Sequence, residues 1–84
     1  MRLIFSDKAW GDYMFWQQTD RQVLKKINNL IRDIKRNPFD GVGKPEPLKH
    51  ELSGFWSRRI TDEHRLVYEI SENSTAIASC RFHY

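Results

Sequence analysis

An α+β fold, with two N-terminal helices packed on a mostly antiparallel sheet, is predicted by three features of the 84-residue chain. Val23, Leu24, Ile27, Leu30, Ile31 and Ile34 follow the 3.6-residue period of an amphipathic helix. After Gly54 the apolar period changes to two, the mark of half-buried strands. Between them, residues 37–47 hold all three prolines and two of the four glycines. Helices first and strands afterwards argue for helices layered on one sheet rather than alternating βαβ units.

Leu3-Ile4-Phe5 is a short apolar strand. Ser6 can cap a helix over 7–18, with Asp7 well placed in its first turn. Trp10, Tyr13, Met14 and Gln17 share one side of that helix and give it an aromatic face. Thr19-Asp20-Arg21-Gln22 has the spacing of a capping box and opens the second helix, over about 20–36. Pro38 stops it. Residues 37–47 read as a loop stiffened by the prolines on either side of Glu46. Phe55–Ile60, His64–Ser71 and Thr75–His83 read as three strands. The polar connections Thr61-Asp62-Glu63 and Glu72-Asn73-Ser74 join them as hairpins.

The length fits one domain, 1–84, because the 37 residues after the proline-rich stretch are too few for an independent fold. The longest apolar run is four residues, Tyr13–Trp16, against about 18 for a membrane span. No secretory leader is expected, and the lone Cys80 permits no internal disulfide, which fits a reducing cytoplasm. The net charge of +3 is unevenly spread: residues 21–50 hold eight basic and three acidic side chains. Such a local surplus suits a polyanion such as RNA, and also suits a solvated helix face.

Strand parity sorts the remaining polar groups. Leu66, Tyr68 and Ile70 share one face with His64, and Ala76, Ala78, Cys80 and Phe82 share another. These faces are expected beneath the helices. The opposite faces collect Arg65, Arg81 and His83, and Arg59 falls with them by the same alternation. Glu46 lies in the loop at the edge.

Cleavage of RNA by its own 2′-OH needs a base, an acid for the leaving 5′ oxygen, and cations on the phosphate. Glu46 can act as base and His83 as acid, a histidine titrating near pH 6.5 when unperturbed. Arg65 and Arg59 suit the phosphate, since a guanidinium donates two parallel hydrogen bonds. Tyr84 can stack on a base. The same residues fit plainer roles: a solvated loop carboxylate, a chain-end histidine and arginines covering an exposed sheet face. Metal chemistry is not expected, because His50, His64, His83 and Cys80 match no zinc spacing. Gly41-Val42-Gly43-Lys44 is too short for a phosphate-binding loop and no helix follows it. Cys80 alternates with the core set and reads as a core thiol.

Four blocks go further. They are Lys44-Pro45-Glu46-Pro47-Leu48-Lys49-His50, Leu52-Ser53-Gly54-Phe55-Trp56-Ser57-Arg58-Arg59-Ile60, Glu63-His64-Arg65-Leu66-Val67-Tyr68 and Cys80-Arg81-Phe82-His83-Tyr84. In order and spacing the chain closely resembles the YoeB family of the RelE superfamily, toxins of bacterial toxin–antitoxin pairs, over its full length. The resemblance implies a RelE-like fold, two helices on a curved antiparallel sheet. It implies cleavage of mRNA in the A site of the 70S ribosome without a cofactor, and a homodimer. It also implies a YefM-like antitoxin whose disordered segment folds over the site on binding. By the same resemblance Glu46 is the general base, His83 the general acid, Arg65 the group that stabilises the phosphate and Tyr84 the residue that positions substrate. Lys49, Arg59 and Glu63 match supporting positions. A ribosome-independent ribonuclease and a non-catalytic, translation-blocking module are the alternatives.

Overall fold

A computed structural model of the chain describes residues 2–83. β1 (Arg2–Phe5) leads into α1 (Asp7–Thr19) and α2 (Arg21–Arg36). β2 (Glu46–Pro47), β3 (Phe55–Arg59), β4 (Arg65–Ser71) and β5 (Ser74–Ser79) follow, with a 3₁₀ turn at His50–Leu52. The five strands form one sheet in the order β1-β5-β4-β3-β2. β1 runs parallel to β5, and every other pairing is antiparallel. The predicted α+β class and hairpin meander therefore hold.

Local chemistry accounts for the helices. Ser6 accepts the Ala9 N–H at 3.0 Å and caps α1. Asp20, not Thr19, caps α2: its carboxylate takes the N–H groups of Gln22 and Val23 at 3.1 and 3.2 Å. Thr19 instead bonds back to the Phe15 carbonyl. The α2 stripe is as predicted, with Ile27, Leu30, Ile31 and Ile34 buried against Ile60, Leu66, Tyr68 and Ile77. The aromatic side of α1 also forms, with Trp10 stacked on Tyr13 at 5.9 Å, but the buried residues of the helix are Ala9, Asp12 and Trp16, while Trp10 stays half exposed and Gln17 faces solvent. Asp12 is tolerated there because it pairs with Lys8 at 3.0 Å and accepts the Cys80 N–H at 3.0 Å.

Two strands also differ from expectation. Glu46–Pro47, read as loop, pairs with Ser57 and Trp56 as a two-residue edge strand. Edge strands are where proline is tolerated in a sheet. β5 carries a bulge opposite Val67/Tyr68, which steps the register from Ser79 to Ile77. The bulge puts both Ile77 and Cys80 in the core, which strict alternation forbids.

Residues 37–44 are held by a fully buried arginine, Arg58. Its five N–H donors reach the Asp33 carboxylate (2.6 Å), the carbonyls of Val42 (3.0 Å), Asp40 (2.9 Å) and Asn37, and the Tyr68 hydroxyl (3.2 Å). Tyr68 in turn donates to the Pro38 carbonyl at 2.7 Å. The segment then closes on β3 through Gly43, whose carbonyl accepts the Arg59 N–H at 2.7 Å. Gly43 has φ +84, and a Cβ there would lie 2.9 Å from Leu30 Cδ2. Glycine is therefore required for the close approach that starts β2.

Candidate active site

The sheet face away from the helices carries a polar cavity of about 300 Å³ lined by Lys44, Glu46, Ser57, Arg59, Arg65 and His83. Register explains the gathering. Glu46 lies opposite Ser57, and Arg59 lies opposite Arg65, so one face of β2, β3 and β4 supplies four of the groups. Lys44 joins from just before β2, where it adopts φ 53. His83 arrives from the tail beyond β5. Three fixed cations against one carboxylate give the cavity a positive field suited to a phosphate.

The orienting bonds of Arg65 come from its own turn. Its Nη1 donates to the carbonyls of Thr61 (2.7 Å), His64 (3.0 Å) and Asp62 (3.3 Å). So held, Arg65 lines the cavity, where its guanidinium can meet a phosphate. The tail that brings His83 is tied down stepwise. The Cys80 carbonyl accepts the Trp16 indole N–H at 2.8 Å. The Arg81 guanidinium lies 3.5 Å from the Phe15 ring centroid and 4.4 Å from that of Phe82. Phe82 is bonded on both sides: its N–H donates to His64 Nδ1 at 2.8 Å and its carbonyl accepts the Arg65 N–H at 3.0 Å.

Of the expected site residues, Glu46, Arg59, Arg65 and His83 converge on the cavity. Lys49 does not line it. It borders an adjoining groove of about 430 Å³ that shares Glu46 and continues through Pro47, Leu48 and His50. Glu63 is exposed in the turn before β4 and also stays outside the cavity. Arg81, placed with this group by alternation, instead stacks between two aromatic rings. Tyr84 lies outside the described residues. Lys44 and Ser57 were not anticipated. The available signals were the parity Ser57 shares with Arg59 and the place of Lys44 two residues before Glu46 in the first matched block. Cys80 is fully buried, and burial, then the Asp12 carboxylate, push its thiol up to about 12, so it is no nucleophile. Among the described residues no three His, Cys, Asp or Glu side chains converge as metal ligands. Nor is any helix long and apolar enough to cross a membrane.

A carboxylate, an imidazole, two guanidiniums and an ammonium around one small cavity are a complete set for proton transfer at a phosphate. Comparisons with known proteins give the family. The family described as YoeB-like toxin of bacterial type II toxin-antitoxin system matches residues 5–84. Toxin YoeB of Escherichia coli strain K12 is 63% identical over 84 residues, all of both chains. The solved YoeB/ParE toxin from Agrobacterium tumefaciens superposes with a TM-score of 0.98 at 53% identity, again over all of both chains. The Staphylococcus aureus YoeB has been solved as a dimer (TM-score 0.94, 49% identity, 100% of this chain and 98% of that one). It has also been solved in a heterotetrameric YoeB-YefM toxin-antitoxin complex (TM-score 0.92, 49% identity, the same coverage).

Proposed function

The chain belongs to the family of YoeB-like toxins of bacterial type II toxin-antitoxin systems, and from that premise we propose that it is an endoribonuclease that cuts mRNA in the ribosomal A site. The observation that carries this reading is the convergence of Glu46, Arg59, Arg65 and His83 on one cavity. Glu46 takes the proton from a ribose 2′-OH. The freed oxygen attacks the adjacent phosphorus as the bond to the 5′ oxygen breaks. His83 gives its proton to that 5′ oxygen, so the products are a 2′,3′-cyclic phosphate and a 5′-OH. Arg65, aimed by its turn, and Arg59 across the β3–β4 pair stabilise the charge on the phosphate oxygens. Lys44 adds a third cation, and Lys49 takes the next phosphate along the adjoining groove. Tyr84 supports the substrate from the chain end.

The ribosome has a physical reason to be part of the substrate. The cavity is at the small end of ligand sites, which run ~300–1,000 Å³. The cavity takes the scissile phosphate and the adjoining groove its neighbour, and the ribosome aligns the rest of the strand. The exposed cations of α2, among them Lys25, Arg32 and Lys35, lie on the other side of the sheet and supply contacts to ribosomal RNA. Action on ribosomes goes with a cytoplasmic protein. By analogy with the Staphylococcus aureus relative, it forms a homodimer and is neutralised by a YefM-like antitoxin.

The test is to mix the protein with ribosomes stalled on a defined mRNA and map new 5′ ends by primer extension, beside the same mRNA alone. Cuts confined to the A-site codon of ribosome-bound mRNA are expected. Equal cutting of naked RNA would make it a ribosome-independent ribonuclease. Blocked translation without cuts would make it a non-catalytic binder.

A further inference from the structure

Phe82, one residue before His83, has φ 64. A residue with a Cβ is strained in this left-handed region and stays there only when its surroundings over-determine it. Here both of its backbone polar groups are held by consecutive residues at the start of β4. The Phe82 N–H donates to His64 Nδ1 at 2.8 Å, and the Phe82 carbonyl accepts the Arg65 N–H at 3.0 Å. His64 is itself fixed. Its ring packs edge-on against the buried Trp16 at 4.8 Å and lies 5.8 Å from the Phe82 ring. Its own N–H and that of Glu63 both bond to the Thr61 hydroxyl. Since a backbone N–H can only donate, Nδ1 must be unprotonated, and the ring is in its Nε2–H form.

We propose that His64 is a positioning residue for the reaction: its Nδ1 lone pair holds Phe82 in the left-handed conformation and thereby aims His83 into the cavity. The inference rests on His83 acting there, as argued above. His64 does not line the cavity itself. Its neighbour Arg65 does, and Arg65 also fixes the Phe82 carbonyl. One dipeptide thus sets the spacing between the phosphate clamp and the acid. Without the acceptor, Phe82 relaxes to negative φ and His83 swings away, although the aromatic packing that supports the fold is retained.

Three variants measured on ribosome-bound mRNA test this. His64→Phe keeps a ring against Trp16 but has no acceptor. His64→Asn offers its Oδ1 where Nδ1 stood. His83→Gln removes the acid. Misplacing a reacting group by an ångström costs up to about 10²-fold in rate, so His64→Phe is expected to lose tenfold to a hundredfold in kcat with KM little changed. His64→Asn is expected to recover most of that loss. Wild-type kcat in a folded His64→Phe, or no recovery in a folded His64→Asn, overturns the proposal. Undiminished cleavage by His83→Gln overturns the site reading beneath it, a different result from failure at His64 alone. A measurement on the unmodified protein stands apart from whether any variant folds. Long-range ¹H–¹⁵N spectra should show His64 Nδ1 as an unprotonated, imine-type nitrogen at neutral pH. A protonated Nδ1 contradicts the assignment.

Discussion

Arg65→Ala is expected to cut A-site cleavage by about 10²–10³-fold while leaving the protein folded, the usual loss when one donor to a developing oxyanion is removed. The fold should survive because the bonds Arg65 makes are to carbonyls of a surface turn, Thr61, Asp62 and His64, which water can replace. Glu46→Ala and His83→Gln should each cost about 10²–10⁴-fold, the range for a general base or acid. Residues that act on one transition state are not additive, so the Arg65→Ala, Glu46→Ala double variant should fall short of the product of the two losses. Growth arrest on expression and the primer-extension rate report the effect, and circular dichroism reports the fold. Full toxicity from a folded double variant would refute the assigned mechanism.

Arg58→Met should damage the fold itself. Removing one partner of a buried ion pair costs about 3–5 kcal/mol, because the charge and carbonyls left behind are neither solvated nor paired. A domain of this kind has only ~5–15 kcal/mol in total. Asp33 and the carbonyls of Asn37, Asp40 and Val42 would all lose a donor. Arg58→Lys should not rescue the site, since an ammonium has three donors against the guanidinium's five and cannot span it. The urea midpoint is the measurement; a midpoint equal to that of the wild type would contradict the role given to Arg58. Activity should fall with it, because the loosened segment leads directly into Lys44 and Glu46. The same cluster sets a pH dependence. The Val42 N–H, then the Arg58 hydrogen bond, hold the Asp33 carboxyl below the usual carboxylate value. Its stabilisation is therefore complete above the unfolded carboxylate pKa of ~3.9 and is lost as pH falls through the lower folded value. Asp33→Asn should remove that acid-dependent part of the unfolding curve.

These residues also mark how much was readable in advance. The second helix, the hairpin meander and the convergence of Glu46, Arg59, Arg65 and His83 follow from period and from matched sequence blocks. Period analysis fails where a polar residue is buried with a partner it cannot see. Asp12 hid the true face of α1, because its ligands, Lys8 and the Cys80 N–H, are one helical turn and 68 residues away. Arg58 falls on the apolar parity of β3, between Trp56 and Ile60, but its partner Asp33 belongs to α2. The β5 bulge breaks the alternation of the last strand and brings Ile77 into the core with Cys80. Lys44 enters the cavity through a left-handed backbone after Gly43, a matter of chain direction rather than residue type.

The central claim is that this cavity cuts RNA by attack of the neighbouring 2′-OH. The most direct measurement uses ribosomes stalled on an mRNA that lacks only the 2′-OH next to the scissile phosphate. The unmodified mRNA should be cut to a 2′,3′-cyclic phosphate and a 5′-OH, and the 2′-deoxy mRNA should stay intact at that phosphate. Cleavage of the 2′-deoxy mRNA there at the unmodified rate would mean that water is the nucleophile, and the removal of a 2′-OH proton by Glu46 would be wrong.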